Sequence, residues 1–355
     1  EELVKNTYAR EELGVLLRDV SDFERVVSRA VTGTANCRDL VALAQGAAVL
    51  PDIRGHLGAM QAGLLQVLLG EVDDLSDLRA LIGAAIVDEP PFSLREGGMI
   101  RPGYSEEIDR LRSIQSGGKE ALAAIEAREK EQTGIRNLRV GYNRVFGYYI
   151  EVAKGQVELV PDRYVRKQTL STGERYITQE LKELETSILT AKDRITALEY
   201  DLFCQVRQKL ADAAERVQRT ARAVAAVDVL RSFAEVAVRN QYCRPQVDVS
   251  GELEIVDGRH PVVEQVLKDS LFVPNDTRLG PRGARCAIIT GPNMAGKSTY
   301  MRQVALIAIL AQMGSFVPAR SARIGIVDRV FTRIGASDDL ASGQSTFMVE
   351  MAEVA

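Results

Sequence analysis

Residues 291–298 read Gly291-Pro292-Asn293-Met294-Ala295-Gly296-Lys297-Ser298 and are followed by Thr299, which completes a G-x-x-x-x-G-K-[ST] phosphate loop. A short apolar, β-branched run at 286–290 precedes the loop and predicts a buried strand. Residues 298–313 follow it with apolar side chains at helical spacing. Glycines let backbone N–H groups converge on an anion, and a helix N-terminus adds positive potential. Strand, loop and helix together predict a nucleotide site, in which Lys297 reaches the β- and γ-phosphates and Ser298 ligates Mg²⁺. The alternative is a glycine-rich turn without a ligand.

Composition limits the class of protein. At 355 residues and 46% hydrophobic content, the chain can form two or three domains. The net charge of −4 confines any nucleic-acid contact to a local patch. Four scattered cysteines and two histidines argue against a disulfide or zinc scaffold and favour a reduced, cytoplasmic protein. No signal peptide or membrane-length apolar run is present, and the start at Glu1 without Met suggests an excised fragment.

Periodicity predicts a chain built largely from helices. Residues 1–85 carry apolar side chains at helical spacing, and a capped long helix is expected from Ser105 to Gln132. From Ile177 to Leu202 apolar residues step by four and three, a heptad seam. The helical pattern continues through 217, so a rod of roughly 60 Å is expected. We interpret this helix as a strut; an ordinary bundle helix is the alternative.

A small β-rich segment interrupts the long helices. Within 134–175 apolar residues alternate and glycines punctuate the pattern, which predicts a sheet inserted at the tip of a helical hairpin. The segment carries eight basic and four acidic residues, a balance of +4 in an acidic chain. Contact with a phosphate backbone follows from this charge, whereas its tyrosines are expected to pack the sheet. A solvated basic face is the alternative.

The C-terminal part has the pattern of an α/β nucleotide-binding domain. Alternating apolar residues at 247–255 and the run 324–328 predict strands on either side of the phosphate loop. No Walker B strand follows the loop within the chain. The run 82–89 resembles one, but it leads directly into two prolines and is expected to be a loop at a helix end. The predicted domains are 1–133, 134–175, 176–243 and 244–355.

These sequences closely resemble the MutS family of DNA mismatch-repair ATPases. The resemblance rests on GPNMAGKSTYMRQ with RHPVVE before it and FVPA and RVFTRIGASDDLASGQSTFMVEM after it, and on the inserted stretch GIRNLRVGYNRVFGYYIEV. The family's architecture implies a multidomain α plus α/β fold. A helical lever with long antiparallel helices would carry a β-rich DNA clamp at its tip and a partial P-loop ATPase domain of the ABC type.

The resemblance also implies roles for individual residues. Phe272 and Val273 would sandwich adenine, and Ser345 would reach the partner's γ-phosphate across a dimer interface. His260 is expected to anchor the start of the ATPase domain; catalysis is its alternative role. The clamp residues expected to touch DNA backbone are Arg166, Lys167 and Arg175. The loop residues expected to bind ATP or ADP with Mg²⁺ are Gly291, Pro292, Asn293, Met294, Ala295, Gly296, Lys297, Ser298 and Thr299.

Two departures from the family pattern shape the functional expectation. The mismatch-reading domain with its Phe-x-Glu motif is absent, and Phe233-Ala234-Glu235 is read as a coincidence on a helix. The family's Walker B carboxylates would lie past Ala355, so no catalytic residue is expected within the chain and hydrolysis should be weak. The first hypothesis is a MutS fragment whose intact form is a homodimer that binds mismatched DNA and a MutL-type partner near the bacterial nucleoid. The second is a paralogue that clamps DNA without reading mismatches.

Overall fold

The computed structural model describes residues 1–143, 145, 147–267, 271–292 and 295–332, with only the backbone of residue 119. The chain divides into two compact units. The first unit comprises Glu1–Val15, His56–Leu68 and the chain from Ala225 onward; the second comprises Leu16–Gly55 and Leu69–Val224. Among the residues just given, no helix combines the length and the apolar character needed to cross a membrane.

Residues 1–85, all of them described, fold into helices, which confirms the helical prediction. The helices are α1 (Glu2–Lys5), α2 (Thr7–Asp19), α3 (Phe23–Val31), α4 (Cys37–Ala47), α5 (Leu50–Gly58), α6 (Gly63–Glu71) and α7 (Ser76–Ala85). Side chains at three- and four-residue spacing explain them, since α3 buries Phe23, Val27 and Ala30 on one face. The carboxylate of Asp22 accepts from the N–H of Arg25 at 2.9 Å and caps this helix.

The two long helices of the second unit are α8 (Glu106–Thr133) and α9 (Gln179–Asp212). They pack along each other. Ion pairs join Arg112 to Glu199 and Arg128 to Glu180. From the first pair to the second, the residue number increases on α8 and decreases on α9. The helices are therefore antiparallel, as predicted. With 34 residues, α9 is about 51 Å long.

The predicted single helix through 217 is wrong. After α9 ends at Asp212, α10 (Ala214–Arg239) begins as a separate helix. The N–H of Ala213 donates to the carbonyl of Leu210 at 3.2 Å, an i to i−3 bond that tightens the last turn and ends α9. The interpretation of these helices as a strut stays a prediction.

The heptad seam of α9 holds through Ile195 and then shifts by one residue. Glu199 and Phe203 are buried there, whereas the predicted Leu198 and Leu202 are only half-buried. A 3.5-residue repeat on a straight helix of 3.6 residues per turn drifts by about 20° per heptad. Over three heptads the drift exceeds half of the angle of about 100° between neighbouring side chains. The contact face therefore moves to the next residue.

The predicted β-rich segment is a four-stranded antiparallel sheet in the order β1-β2-β4-β3. Its strands are β1 (Arg139–Asn143), β2 (Gly147–Ala153), β3 (Val165–Thr169) and β4 (Gly173–Ile177), with a 3₁₀ turn at Lys154–Leu159. One face buries Ile150, Val152 and Tyr176 against Ile125 of α8 and Leu181 of α9. The sheet thus packs on the ends of the two helices that it joins in sequence.

A second four-stranded sheet lies in the first unit, in the order β5-β8-β6-β7. Its strands are β5 (Gln246–Asp248), β6 (Leu253–Gly258), β7 (Asn275–Leu279) and β8 (Ser321–Gly325), and its helices are α11 (Val263–Val266) and α12 (Lys297–Gln312). The β5–β8 pair is parallel and the others are antiparallel. Ile307 and Ala311 of α12 pack against Ile255 and Ile324 of the sheet. The predicted helix after the phosphate loop is confirmed.

Two strand predictions in this unit need correction. Residues 286–290 are not a strand, and Ile288 is 90% exposed. None of the described strands pairs with this run, and an extended segment without a neighbour leaves its backbone groups unpaired. The strand predicted at 324–328 ends at Gly325, because its parallel neighbour β5 ends at Asp248, the partner of Gly325.

Candidate nucleotide cleft and candidate nucleic-acid interface

The phosphate loop and the segment before β7 line one cleft of about 570 Å³. Phe272, Val273 and Asn275 contribute from the β7 side, where Phe272 is half-buried and Val273 is exposed. The rest of the lining comes from the end of the run before the loop, the loop itself and the start of α12: Ile289, Thr290, Ala295, Gly296, Lys297, Thr299 and Tyr300. The cleft therefore combines apolar walls with a cation and a helix N-terminus.

Glycine geometry shapes the phosphate-loop end of the cleft. Gly296 has φ 86° directly before α12, and Gly291 has φ 152° at the start of the loop. Both values lie in a region that residues with a Cβ rarely occupy. The first N–H groups of α12 have no partners within the helix, so they are available to an anion, and the helix dipole favours negative charge there.

Lys297, the first residue of α12, is folded over the loop. Its Nζ donates to the carbonyls of Gly291 and Pro292, each at 2.7 Å. The ammonium of the first residue of α12 is therefore held against the start of the phosphate loop. A lysine and a helix N-terminus in one place suit a phosphate chain.

Tyr300 ties the two sides of the cleft together. Its hydroxyl lies 2.8 Å from Oγ1 of Thr277 and donates to the carbonyl of Asp276 at 3.2 Å. Both partners belong to β7, which directly follows Phe272 and Val273 in the chain. The sequence analysis missed Tyr300; the signal was its place three residues after Lys297, which puts both on one face of α12.

His260 supports the fold beside the second sheet. It is 7% exposed, and its Nδ1 accepts from the N–H groups of Val262 and Val263 at 3.3 and 3.2 Å. Burial lowers the pKa of His260 below its usual 6.5, and the charge of Arg302 lowers it further. A neutral imidazole that accepts at Nδ1 fixes the turn into α11. Its role as an anchor at the start of the ATPase domain stays a prediction.

Two exposed basic side chains of the first sheet lie on the edge strand β3, and Arg139 is exposed on the opposite edge strand, β1. β3 is at the end of the strand order, and Arg166 and Lys167 are both exposed on it. The pairing of β3 with β4 skips a residue between Arg166 and Gln168, so Lys167 occupies a bulge. Arg166 Nη1 lies 3.5 Å from the carboxylate of Glu174. Two cations thus face solvent where the sheet has no further strand.

Arg175 has a different environment from these two cations. Its Nε donates to Glu151 at 3.0 Å and its Nη1 to Gln168 at 3.0 Å. Its guanidinium carbon lies 4.2 Å from the ring centroid of Tyr149. The ring in turn lies over Gly141 on the neighbouring strand. Arg175 is therefore held inside a ladder of side chains that crosses the sheet.

The tyrosines of this sheet follow the sequence expectation in part. Tyr164 and Tyr176 are buried in the core, with ring centroids 5.8 Å apart. Tyr142 does not follow the expectation, because its side chain is 52% exposed. Its ring meets that of Tyr148 edge-on, with the ring centroids 5.0 Å apart.

The described ranges contain neither a cluster of His, Cys, Asp or Glu side chains that could hold a metal ion nor a disulfide. Cys37, Cys204, Cys243 and Cys286 are all free. Burial, with the charge of Glu199, raises the pKa of Cys37 to about 12, so this thiol stays protonated.

Comparison with known proteins identifies the family. The family model described as MutS family domain IV matches residues 103–194, and that described as MutS domain V matches residues 287–355. Proteins named DNA mismatch repair protein MutS from Ruminiclostridium cellulolyticum and Acetivibrio thermocellus are each 55% identical to the chain, over 355 and 346 residues. The chain belongs to the MutS family. These matches cover 100% and 98% of the chain but 41% and 40% of the relatives. A third such protein, from Symbiobacterium thermophilum, is 55% identical over 354 residues, which is 100% of the chain and 40% of that relative.

The structure brings together six of the twelve nucleotide residues expected from the MutS resemblance. Phe272 and Val273 line the same cleft as Ala295, Gly296, Lys297 and Thr299. Gly291, Pro292 and Ser298 are exposed and do not line that cleft. The expected residues Asn293, Met294 and Ser345 lie outside the described residues, so their roles stay predictions.

Two sequences that resemble functional motifs lie in ordinary elements of the fold. Phe233-Ala234-Glu235 lies on α10, as expected, and Glu235 pairs with Arg10 at 3.2 Å. The Walker-like run 82–89 begins in α7, which ends at Ala85, and continues as a loop. Both runs therefore lie where the sequence predicted them, the first on a helix and the second in a loop at a helix end.

Proposed function

We propose that this chain is the part of a DNA mismatch repair protein that binds ATP or ADP with Mg²⁺ and holds duplex DNA. The relatives that carry that name are more than twice as long as the chain, so the activity of the whole protein is part of the proposal. The observation that carries it is the cleft, because residues that the family assigns to adenine and to phosphates line it together.

The residues of the cleft fit a nucleoside triphosphate. Lys297, the N-terminus of α12 and the left-handed Gly296 would hold the phosphates, and Phe272 with Val273 would enclose adenine. The exposed hydroxyl of Ser298, the second residue of α12, is the donor that would hold Mg²⁺. The cation would neutralise phosphate charge. The groups that would hold the phosphates and those that would enclose the base thus line one cleft.

The duplex contact would be made by the edge strand of the first sheet. Arg166 and Lys167 are exposed there and present charge without shape-specific pockets, which suits contact with the phosphate backbone and no reading of base sequence. The family resemblance adds Arg175, but the ion pair of Arg175 with Glu151 and its stack on Tyr149 favour a supporting role for it.

The assembled protein would act as a homodimer in the bacterial cytoplasm, close to the nucleoid. Ser345 would complete the nucleotide site of the partner, and ATP would shift the balance between two arrangements of the ATPase domains. Long helices would carry that shift to the DNA-holding sheets, so that a mismatch-bound form becomes a sliding clamp able to engage a MutL-type protein. The paralogue hypothesis, a clamp that does not read mismatches, gains no support from relatives that are named mismatch repair proteins.

Equilibrium titration of the chain with a fluorescent ATP analogue and Mg²⁺ tests the central claim. We expect saturable binding that Lys297→Ala weakens roughly 10- to 100-fold, because hydrogen bonds to charged groups contribute about 1.5–3 kcal/mol. The matched control is Lys5→Ala, since Lys5 is an exposed lysine of the same unit, paired with Glu1 outside the cleft. Absence of binding, or equal binding by the two variants, would refute the nucleotide site.

A further inference from the structure

The C-terminal end of α10 is closed by an arginine from another segment. After α10, Gln241 takes φ 53°, and the N–H of Tyr242 turns back to the carbonyl of Ala237 at 2.9 Å. Nη2 of Arg259 donates to the carbonyls of Asn240 and Gln241 at 2.9 and 3.3 Å. Carbonyls at a helix end lack partners within the helix and carry partial negative charge, so a guanidinium there is a strong cap.

The same guanidinium is held from its other side by Glu264. Nε of Arg259 donates to the carboxylate at 2.7 Å, and the side chain of Glu264 is only 12% exposed. The ring of Tyr242 lies beside the pair, with its centroid 5.9 Å from the guanidinium carbon. One side chain therefore fastens the end of α10 to the segment that contains α11.

Backbone contacts extend this junction to the sheet under the nucleotide cleft. Cys243 and Val317 exchange two hydrogen bonds, at 3.0 and 2.9 Å, and the N–H of Arg259 donates to the carbonyl of Pro318 at 2.8 Å. Cys243 also packs against the apolar core that Ile307 of α12 shares with the second sheet. Because α12 begins at Lys297 in the cleft, the end of α10 and the phosphate-binding helix rest on one continuous core.

We propose that Arg259 is a positioning residue that makes the end of α10 move with the nucleotide-binding elements, so that nucleotide binding changes affinity for DNA. This inference rests on the proposed function, which requires both ligands to bind. The guanidinium fork reaches two carbonyls and a carboxylate at once. Lysine keeps the charge but offers one flexible point of attachment in place of a planar fork. Arg259→Lys therefore loosens the junction while leaving the cleft residues and the first sheet intact.

The test is the effect of ATP with Mg²⁺ on duplex affinity, measured by fluorescence anisotropy for wild type, Arg259→Lys and Arg244→Lys. Arg244 is the matched control, because it lies near the junction in sequence and forms an exposed pair with Glu1. We expect wild type and Arg244→Lys to share one coupling factor, of the order of 5- to 150-fold, and Arg259→Lys to fall below about twofold. The affinities of Arg259→Lys for ATP alone and duplex alone should match those of wild type.

Every other outcome overturns the inference, and one of them also overturns the proposed function. Full coupling in Arg259→Lys overturns the inference and leaves the proposed function standing. Wild type that binds both ligands without coupling overturns the inference and the ATP-driven shift proposed for the assembled protein, but leaves the proposed binding of nucleotide and duplex standing. Wild type that fails to bind ATP or duplex overturns the proposed function, and the inference with it. If Arg259→Lys does not fold, Glu264→Gln replaces it in the test. Glutamine keeps the size of the Glu264 side chain and removes its charge. We expect it to reduce coupling, and undiminished coupling in Glu264→Gln also overturns the inference.

Discussion

The carboxylate of Glu199 is fully buried on α9 and accepts a hydrogen bond from Nη2 of Arg112 on α8 at 2.6 Å. Its second oxygen accepts from the N–H of Met99 at 3.1 Å. Arg112 also donates to the carbonyl of Ile100 at 2.7 Å. One buried acid and one arginine thus join both long helices to the strand-like segment before α8. Such a pair is satisfied only while every partner remains in place.

Removal of the Glu199 carboxylate should destabilise the protein strongly. Glu199→Ala leaves the N–H of Met99 without its acceptor and removes the carboxylate that pairs with Arg112, and breaking a buried pair costs about 3–5 kcal/mol. Urea unfolding followed by far-UV circular dichroism measures the loss. Glu183→Ala, on an exposed position of the same helix, should change the midpoint little. Equal midpoints for the two variants would show that the buried pair does not stabilise the helices.

The surroundings of Glu199 also show which features of the fold the sequence predicts and which it does not. The heptad pattern predicted a helix in this part of the chain, though not its end, because helical periodicity is a local property, and it located the buried positions from Ile188 to Ile195. The shift of the buried position from Leu198 to Glu199 depends on how straight the two helices are, and the sequence of one helix does not determine that. The partners of Glu199 lie 87 and 100 residues away in sequence, so no spacing rule could have found them.

The candidate nucleotide site likewise has features that the sequence predicted and features that it did not. The phosphate loop was predictable because its chemistry needs residues that are adjacent in sequence. The contact of Tyr300 with Thr277 and the contact of Arg259 with Asn240 were not, since each joins segments about 20 residues apart. The strand expected at 286–290 failed because a strand is defined by its neighbour as much as by its own residues.

Substitution of Gly141 tests the side-chain ladder around Arg175. A Cβ at this position would lie 2.8 Å from the ring of Tyr149, closer than atoms normally approach. Gly141→Ala should displace the ring from Arg175 and cost about 1–3 kcal/mol, as overpacking does. Gly155→Ala is the control, because nothing lies within 4 Å of its Cβ position. If urea unfolding shows the two variants to be equally stable, the ladder is not tightly packed.

Charge reversal on the edge strand tests the DNA interface. Arg166→Glu with Lys167→Glu should weaken duplex binding and lower the slope of log affinity against log salt by about 1.8, or roughly 0.9 for each phosphate that the protein no longer neutralises. The charge-matched control is Lys192→Glu with Lys209→Glu, two exposed positions on α9. Anisotropy titrations at several salt concentrations give both slopes. A slope that the edge-strand variant shares with wild type would remove β3 from the interface.

His260 should make the stability of the protein depend on pH in the weakly acidic range. Because burial lowers the pKa of His260 in the folded state, the unfolded chain takes up a proton first as the pH falls through about 6.5. The stabilisation is therefore complete above that pH and is lost below it, by at most about 1.4 kcal/mol per pH unit. Protonation would also turn Nδ1 into a donor facing the N–H groups of Val262 and Val263. In urea unfolding between about pH 8 and pH 5, His260→Gln should show a flatter stability profile than wild type. A profile for His260→Gln as steep as that of wild type would mean that other groups cause the acid sensitivity.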